Sequence, residues 1–491
     1  MQQPDYGEAR LYIDGELCAA EGRREYDNIA PATAKLIGRA ADASIADADK
    51  ALTAARQAFD RTAWSMDHQG RITALKKFVE AMRAEIKSLQ DAMVAEAGST
   101  RHNAETAQVN GPIAMTDWVI DYLEQFEWQR DLGEYTLTAF GTTSRRVLCR
   151  EAVGVVAAIT PWNFPLQIIL AKIIPALAAG CTVVLKAAPD TPWTAALLGR
   201  IAQQSKALPK GVLNILTASQ PADIGQFLST DPRVDMVSFT GSTRVGREVM
   251  AAAAQTVKKV FLELGGKSPH IILPDADFGA ALLNCLAVCY HAGQGCVLAT
   301  RLLVPADRLA EVETTVSGYF DFITLGDPEA AGAIMGPLIN RHQRQRVLSM
   351  IEQGVAEGAR LIKGGGIPEG LQQGFYIEPT ILVDEQGNSC VAQQEIFGPV
   401  LTIIPYRDVE HAITLANSSD YGLGAVINSG DETAAMAVAK RIRAGVINVN
   451  GGNFLAPDVP FGGYKQSGIG REMGAEGFAE YLETKTIAIG A

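Results

Sequence analysis

Between Val153 and Gly265 the chain repeats one alternation, a short apolar run rich in β-branched residues followed by a segment with helical spacing. The apolar runs are VGVVAAIT (153–160), CTVVLKAA (181–188), GVLNILTA (211–218), VDMVSFTG (234–241) and KKVFLELG (258–265). Between them lie PLQIILAKIIPALAAG, TPWTAALLGRIAQQ, a short helix from Pro221 and a helix from Ser242. Strands this apolar on both faces leave no face for water, and parallel strands need helical crossovers. Five such strands and four helices therefore predict a parallel, doubly wound α/β sheet covered on both faces. Sheets of this kind bind ligands beyond the carboxyl ends of their strands. After Gly266 a second α/β region runs to about Pro460, with strands such as TRLLVP and VLTIIPY.

The flanking segments read as simpler elements. From Ser44, a fitting N-cap, Ile45, Ala48, Leu52, Ala55 and Phe59 recur at steps of three and four and predict an amphipathic helix. A second helical stretch runs from about His68 to Glu96 and ends near Gly98. EYTLTAFGTTSRRVLCR (134–150) reads as a hairpin over a Gly-Thr-Thr turn. With 491 residues, 47% hydrophobic and 20% charged, the chain is long enough for two or three domains. The 43 basic and 55 acidic residues give −12 with no basic run, which argues against nucleic acid and anionic membranes as partners. The apolar stretch from Phe164 to Leu185 is broken by Lys172, Pro175 and a Gly-Cys-Thr turn, so no membrane span is expected. The N-terminus has early acids and no apolar core of a leader. Seven scattered cysteines suit a reducing compartment, and a cytoplasmic location is the expectation.

Several residues carry possible chemistry. Cys296, in HAGQGCVLATR, follows a Gly-Gln-Gly turn, where a thiol is open to close approach by a substrate; a small buried hydrophobe is the plainer reading. Cys285 and Cys289 lie one helical turn apart near His291, yet their spacing to Cys296 matches no common zinc pattern, so no metal site is assigned. Glu263 ends an apolar strand, where burial would raise its pKa toward base work, or where it is simply a strand-end acid. Asn163, in ITPWNFP, either donates to an oxyanion or caps the following helix. GSTRVG (241–246) opens a helix whose free amides would suit a phosphate or an ordinary N-cap. A Gly-x-Gly-x-x-Gly turn is absent after the first strand.

Taken together, TPWNFP, FTGST (239–243), ELGGKSP (263–269), GQGC (293–296), EIFGPV (395–400) and PFGGYKQSGIGRE (460–472) resemble the aldehyde dehydrogenase superfamily over nearly the whole chain. The resemblance implies an NAD(P)-dependent, non-acylating enzyme with Cys296 as nucleophile, Glu263 as general base, Asn163 as oxyanion donor and Lys172 near the active site. It implies cofactor contacts at Ile159, Thr160, Trp162, Lys186, Pro189, Gly225, Gly241, Ser242, Leu264, Glu395 and Phe397. It also implies a cofactor domain (1–130 and 151–258), a catalytic domain (259–460), and an oligomerisation hairpin and tail (131–150 and 475–491). The tail, LETKTIAIG, would pair with a neighbouring subunit in a homodimer or homotetramer. Where the family has an acidic residue against the ribose, this chain has Pro189, so NAD is expected with some acceptance of NADP. A hydrophobic aliphatic or aromatic aldehyde is the expected substrate, with walls near Met115, Trp118, Phe164, Val297 and Phe454. A CoA-acylating enzyme or a non-catalytic binding protein on this fold is the alternative, and the presence of Glu263 and Cys296 argues against both.

Overall fold

The computed structural model describes residues 9–490. Residues 1–8, the acidic start read above for its lack of a leader, and Ala491 at the end of the tail lie outside the described residues.

The alternating segment forms five parallel strands, Val155–Ile159, Thr182–Lys186, Leu213–Leu216, Met236–Thr240 and Lys259–Glu263. Their spatial order is third, second, first, fourth, fifth, so the direction of winding reverses between Val155–Ile159 and Met236–Thr240. Successive residues of the first strand supply opposite faces. Val156 and Ala158 join a core with Phe78, Ile169 and Leu198, while Val155, Ala157 and Ile159 join another with Leu52, Leu228 and Val249. Each such buried side chain contributes roughly 1.5–3 kcal/mol, so both helical layers are held to the sheet.

Three short strands extend this sheet antiparallel: Leu11–Ile13 and Glu16–Cys18 at one edge, Gly468–Ile469 at the other. Lys259–Glu263 belongs to this first sheet, although the expected division at 258/259 would assign it to the second unit. The second sheet has seven strands in the order 360–363, 380–383, 400–406, 301–305, 269–272, 424–428, 446–449, and only its first pair is antiparallel. Gly265 and Gly266 join the two sheets, and the strand ends flanking this junction face each other.

The flanking elements depart from the sequence reading in detail. Ser44 caps the Ile45–Arg61 helix in a capping box with Asp47, but Ile45 is exposed and the buried stripe is Ala48, Ala51, Leu52, Ala55 and Ala58. The stretch from His68 is two helices, His68–Ala84 and Ile86–Ala97. They break at Glu85, an ordinary helix former that leaves helical geometry with ψ 17°, and the second ends at left-handed Gly98. The hairpin strands are Gln129–Leu137 and Thr142–Ala152, which places the turn at 138–141. Leu482–Gly490 pairs along its whole length with Thr142–Ala152 of the same chain and forms an edge of the three-stranded sheet. The hairpin of its own chain already offers the open edge that the alternating tail needs.

A carboxylate ties the helical layers to the cofactor-side turn. Glu96 is fully buried and accepts from Trp193 N (2.7 Å), Thr194 N (2.7 Å), Thr194 Oγ1 (2.6 Å) and Asn28 Nδ2 (3.1 Å). It therefore caps the Pro192–Ser205 helix from 97 residues away in sequence. Glu96→Ala strands four buried donors, and at 1–3 kcal/mol for an orphaned group the loss should be at least about 2 kcal/mol. The midpoint of urea unfolding, compared with that of the wild type at equal m-value, checks this.

Candidate active site

The reversal of strand order opens a crevice between the ends of Val155–Ile159 and Met236–Thr240, the place where a doubly wound sheet takes a ligand. Thr160 and Thr240 end these two strands, and each buries a hydroxyl with no hydrogen-bond partner among the described residues. Lys186 ends the neighbouring strand. It is buried, its ammonium makes no hydrogen bond or close ion pair among the described residues, and burial pushes its pKa down to about 8 against the opposing effect of Asp190. Ser242 caps the Thr243–Ala253 helix through Val245 N, so the plainer reading of that turn describes its side chain, while the helix N-terminus still faces the crevice side of the sheet.

Glu263, at the end of the fifth strand, comes against Cys296. The carboxyl is buried, and among the described residues neither oxygen has a hydrogen-bond partner at full geometry, the Cys296 thiol being the side chain that bears on it. Its pKa is raised well above the carboxylate range, first by burial and then by the nearby charge of Glu472. Cys296 is partly exposed, and its thiol is likewise raised, by desolvation and by Glu263. Two groups that repel as anions thus share one site, and the resting pair holds its protons.

The loop before Cys296 is strained. His291, Ala292 and Gly293 are all left-handed, with φ of 47°, 52° and 74°; only the glycine adopts this freely. Gln294 holds the loop: its Nε2 donates to His291 O at 3.0 Å, and its Oε1 accepts from Ile339 N at 2.8 Å. Asn163 Nδ2 donates to Gln294 O at 2.9 Å, and Gln108 Nε2 donates to Asn163 O at 3.2 Å. Phe164, not Asn163, occupies the N-cap position of the next helix, and no side chain caps it. Asn163 is therefore tied to the cysteine loop with one amide proton left over.

Lys172 is fully buried, donating to Glu472 Oε1 at 2.8 Å and to Ser238 Oγ at 3.3 Å, above the Phe261 ring. Glu472 is the partner whose charge reaches Glu263. Lys172 thus meets the site through Glu472.

Glu395 approaches from the second unit and accepts from Gly266 N at 3.0 Å. Phe397 is left-handed (φ 61°) and meets the Trp162 ring edge-to-face at 5.4 Å. Gln343 Nε2 holds Phe397 O at 2.7 Å, and Arg346 Nη2 holds Glu395 O at 2.7 Å. Gly241 N donates to Glu263 O, and Leu264 packs so closely on Gly246 that a β-carbon there would lie 2.4 Å from it. Ile159 is buried beneath the crevice.

Two expected cofactor positions stand apart from this cluster. Gly225 lies mid-helix in Pro221–Thr230 with open space where a side chain would be. Pro189 is followed by Asp190, whose Oδ1 accepts from Asn340 Nδ2 at 2.9 Å. A carboxylate is therefore present beside Lys186 after all, displaced by one residue and engaged with the second unit. Of the expected substrate walls, Met115 and Trp118 line an apolar cavity between the Asn110–Glu124 and Pro165–Ala179 helices; Phe164, Val297 and Phe454 lie outside its lining. Gln108, Gln294, Gln343, Arg346 and Glu472 were not singled out from sequence. Among the described residues no group of three His, Cys, Asp or Glu is placed to hold a metal ion, and no helix is long and apolar enough to cross a membrane.

Comparison with known proteins agrees with this geometry. Residues 18–487 match the model of the aldehyde dehydrogenase family. A 3-succinoylsemialdehyde-pyridine dehydrogenase of a Pseudomonas species is 42% identical over 489 residues, 98% of each chain. Aldehyde dehydrogenase C of Pseudomonas syringae, solved as a cysteine-to-alanine mutant with NAD+ and octanal, is 40% identical over 98% of this chain and 96% of that one, at a TM-score of 0.92. An aldehyde dehydrogenase of Mycobacterium tuberculosis, solved with NAD+, is 39% identical over 98% of both chains, again at 0.92. With a family match across nearly its whole length, relatives of this identity and a thiol facing a buried carboxyl at the sheet's ligand edge, the chain belongs to the aldehyde dehydrogenase family.

Proposed function

We propose that the chain oxidises an aldehyde to its carboxylic acid with NAD+ through a thioester on Cys296 that water cleaves. The observation that carries this reading is the Cys296 thiol facing the Glu263 carboxyl, beside an Asn163 amide fixed to the cysteine loop.

The crevice residues fit a dinucleotide. Thr160 and Thr240 bring hydroxyls unpartnered among the described residues, Lys186 a buried ammonium near Asp190, and Ser242 a helix N-terminus. Trp162, Glu395 and Phe397 would border the nicotinamide end; Gly225, Gly241 and Leu264 supply close or open walls. When bound, NAD+ would supply the hydride acceptor.

The chain's own groups then have defined tasks. With Glu263 ionised, the Cys296 thiol gives its proton to that carboxylate, which passes it on to solvent, and Sγ bonds to the carbonyl carbon as the C=O π pair moves onto oxygen. The resulting oxyanion accepts from the spare Asn163 Nδ2 proton and from the Cys296 N–H. Loss of hydride leaves the thioester. Glu263 takes a proton from water, the hydroxide adds to the thioester carbon, and the C–S bond breaks to release acid and thiol. Lys172 acts as a positioning residue, pairing with the Glu472 carboxyl that sets the charge around Glu263.

The substrate reading follows from the apolar cavity and agrees with the octanal and pyridine semialdehyde of the relatives. Residues 1–130 and 151–258 would hold the cofactor and 259–460 the nucleophile. We assign self-association, as a homodimer or homotetramer, to the three-stranded sheet of hairpin and tail. It leaves Leu132, Tyr135, Leu137, Phe140, Ile487 and Ile489 exposed, more apolar surface than a lone hairpin keeps in water.

Three outcomes test this function. Cys296→Ala should keep NAD+ affinity and form no NADH from octanal, whereas Glu263→Gln should release at most one NADH per site and then stall as the thioester. Steady wild-type turnover by either variant, or a requirement for CoA, overturns the proposal.

Glu263 works as carboxylate, and its pKa is raised, so kcat should climb with pH above the ordinary carboxyl range. Removing the neighbouring negative charge with Glu472→Gln should lower that pKa and move the midpoint to lower pH; a pH–rate profile of both enzymes reads the direction.

Pro189 cannot repel a 2′-phosphate, and Asp190 is held by Asn340. NAD should therefore be preferred over NADP by less than about 10³ in kcat/KM, measured at one saturating aldehyde.

A further inference from the structure

The face of the first sheet that carries Glu263 also holds a buried polar chain leading away from the cysteine. Where the fourth and fifth strands pair, Ser238 lies opposite Phe261 and Thr240 opposite Glu263. Alternate residues of a strand share a face, so these four side chains form two rows on one face, about 6–7 Å apart along the strands. The Lys172 ammonium is bound at the inner row. It donates to Ser238 Oγ at 3.3 Å and lies 4.7 Å from the centre of the Phe261 ring, and its other hydrogen bond among the described residues goes to Glu472 Oε1 at 2.8 Å. Behind Ser238 stands the Tyr481 phenol, its oxygen 3.2 Å from Ser238 Oγ. Tyr481, Ser238 and Lys172 are all buried, and Tyr481 directly precedes the Leu482–Gly490 strand. Its carbonyl accepts from Val153 N at 3.0 Å and from Cys181 Sγ at 3.4 Å, so the ring enters from a backbone pinned at two points.

The flexible four-carbon stem of a lysine lets its ammonium reach either row. An ionised Glu263 in the outer row attracts it more strongly than a neutral hydroxyl does, so the inner position needs an anchor. We propose that Ser238 and Tyr481 are positioning residues that hold the Lys172 ammonium one row short of the Glu263 carboxyl. This deepens, and rests on, the role of Glu263 as the base proposed above. A carboxylate hydrogen-bonded to an ammonium is a weaker base, so an ammonium kept back leaves Glu263 able to take protons from thiol and water. Glu263 is faced by Glu472, Cys296, Lys172 and Glu395, and Tyr481 by Glu472, Cys181 and Glu480. Burial and then the charge of Glu472 keep the phenol protonated, so Tyr481 orients Ser238 without titrating itself.

The test is the pH dependence of kcat from about pH 5 to 9, in the full-length enzyme with saturating NAD+ and octanal. Ser238→Ala frees the ammonium to move to the outer row, where it favours the Glu263 carboxylate. The midpoint should then fall by about half a pH unit or more, the equivalent of one hydrogen bond. Tyr481→Phe keeps the ring and loosens the anchor, and should shift the midpoint the same way by less. Ser238→Thr retains the hydroxyl on a residue suited to a strand and should restore the wild-type profile. A packing role alone would lower thermal stability or kcat and leave the midpoint in place. An unmoved or raised midpoint in Ser238→Ala therefore overturns the proposal, as does a Ser238→Thr enzyme shifted as far as the alanine one. Should the alanine enzyme fold poorly, Tyr481→Phe decides by the same sign. A wild-type kcat that is flat over this range, or unaffected by Glu263→Gln, instead overturns Glu263 as the base, and this inference with it.

Discussion

Gly266 and the carbonyl of Cys296 touch so closely that a β-carbon at residue 266 would lie 2.2 Å from that oxygen, and one at Gly265 would lie 2.4 Å from Glu395 Oε2. No side chain fits at either position, and this pair of glycines is where the first sheet ends and the second unit begins. The contact holds the backbone of the cysteine loop against the residues that follow the Lys259–Glu263 strand. Everything else at the site is arranged around that juncture. Glu395 reaches it through Gly266 N, and the Gly468–Ile469 strand locks the other edge of Glu263 by pairing with it.

Close packing also explains how the loop tolerates its strain. Left-handed non-glycine residues cost on the order of 1 kcal/mol or more each, and His291 and Ala292 are consecutive. Gln294 and Asn163 repay this by pairing the loop's carbonyls and the Ile339 amide, and Gly293 presses against the Gly398 backbone, where a β-carbon would lie 2.1 Å away. Strain of this kind persists only where surroundings over-determine it. Here it keeps the Cys296 loop in one geometry while the thiol itself stays partly open. The His291 ring, buried and pushed down to a pKa of about 4, stays neutral and adds no charge to a site already holding two potential anions.

Much of the fold was legible because parallel strands announce themselves locally. Five runs apolar on both faces, separated by helical spacing, leave a doubly wound sheet as the natural arrangement, and both helical layers follow from the alternation of Val155, Val156, Ala157 and Ala158 into separate cores. What local pattern could not convey is pairing at a distance. The break at Glu85 has no glycine or proline to mark it, and the tail's partner is set by which edge lies nearest in space, a contact spanning more than 300 residues.

The site divides along the same line. Cys296, Glu263 and Asn163 each sit in a local context odd enough to be noticed: a thiol after a glycine turn, a carboxyl ending an apolar strand, an amide between two aromatic residues. Lys172 stood out as a charge in an apolar helix and was placed near the active site by the family resemblance, and sequence offers no way to tell whether such a lysine faces substrate or a counter-ion. Its partner is Glu472, 300 residues on. Burying an ammonium without a partner costs several kcal/mol, and for Lys172 the Glu472 carboxyl offsets that cost. The pair then bears on Glu263 in both directions, Glu472 raising its pKa and Lys172 lowering it, so desolvation of the Glu263 carboxyl itself remains the first cause of its raised pKa.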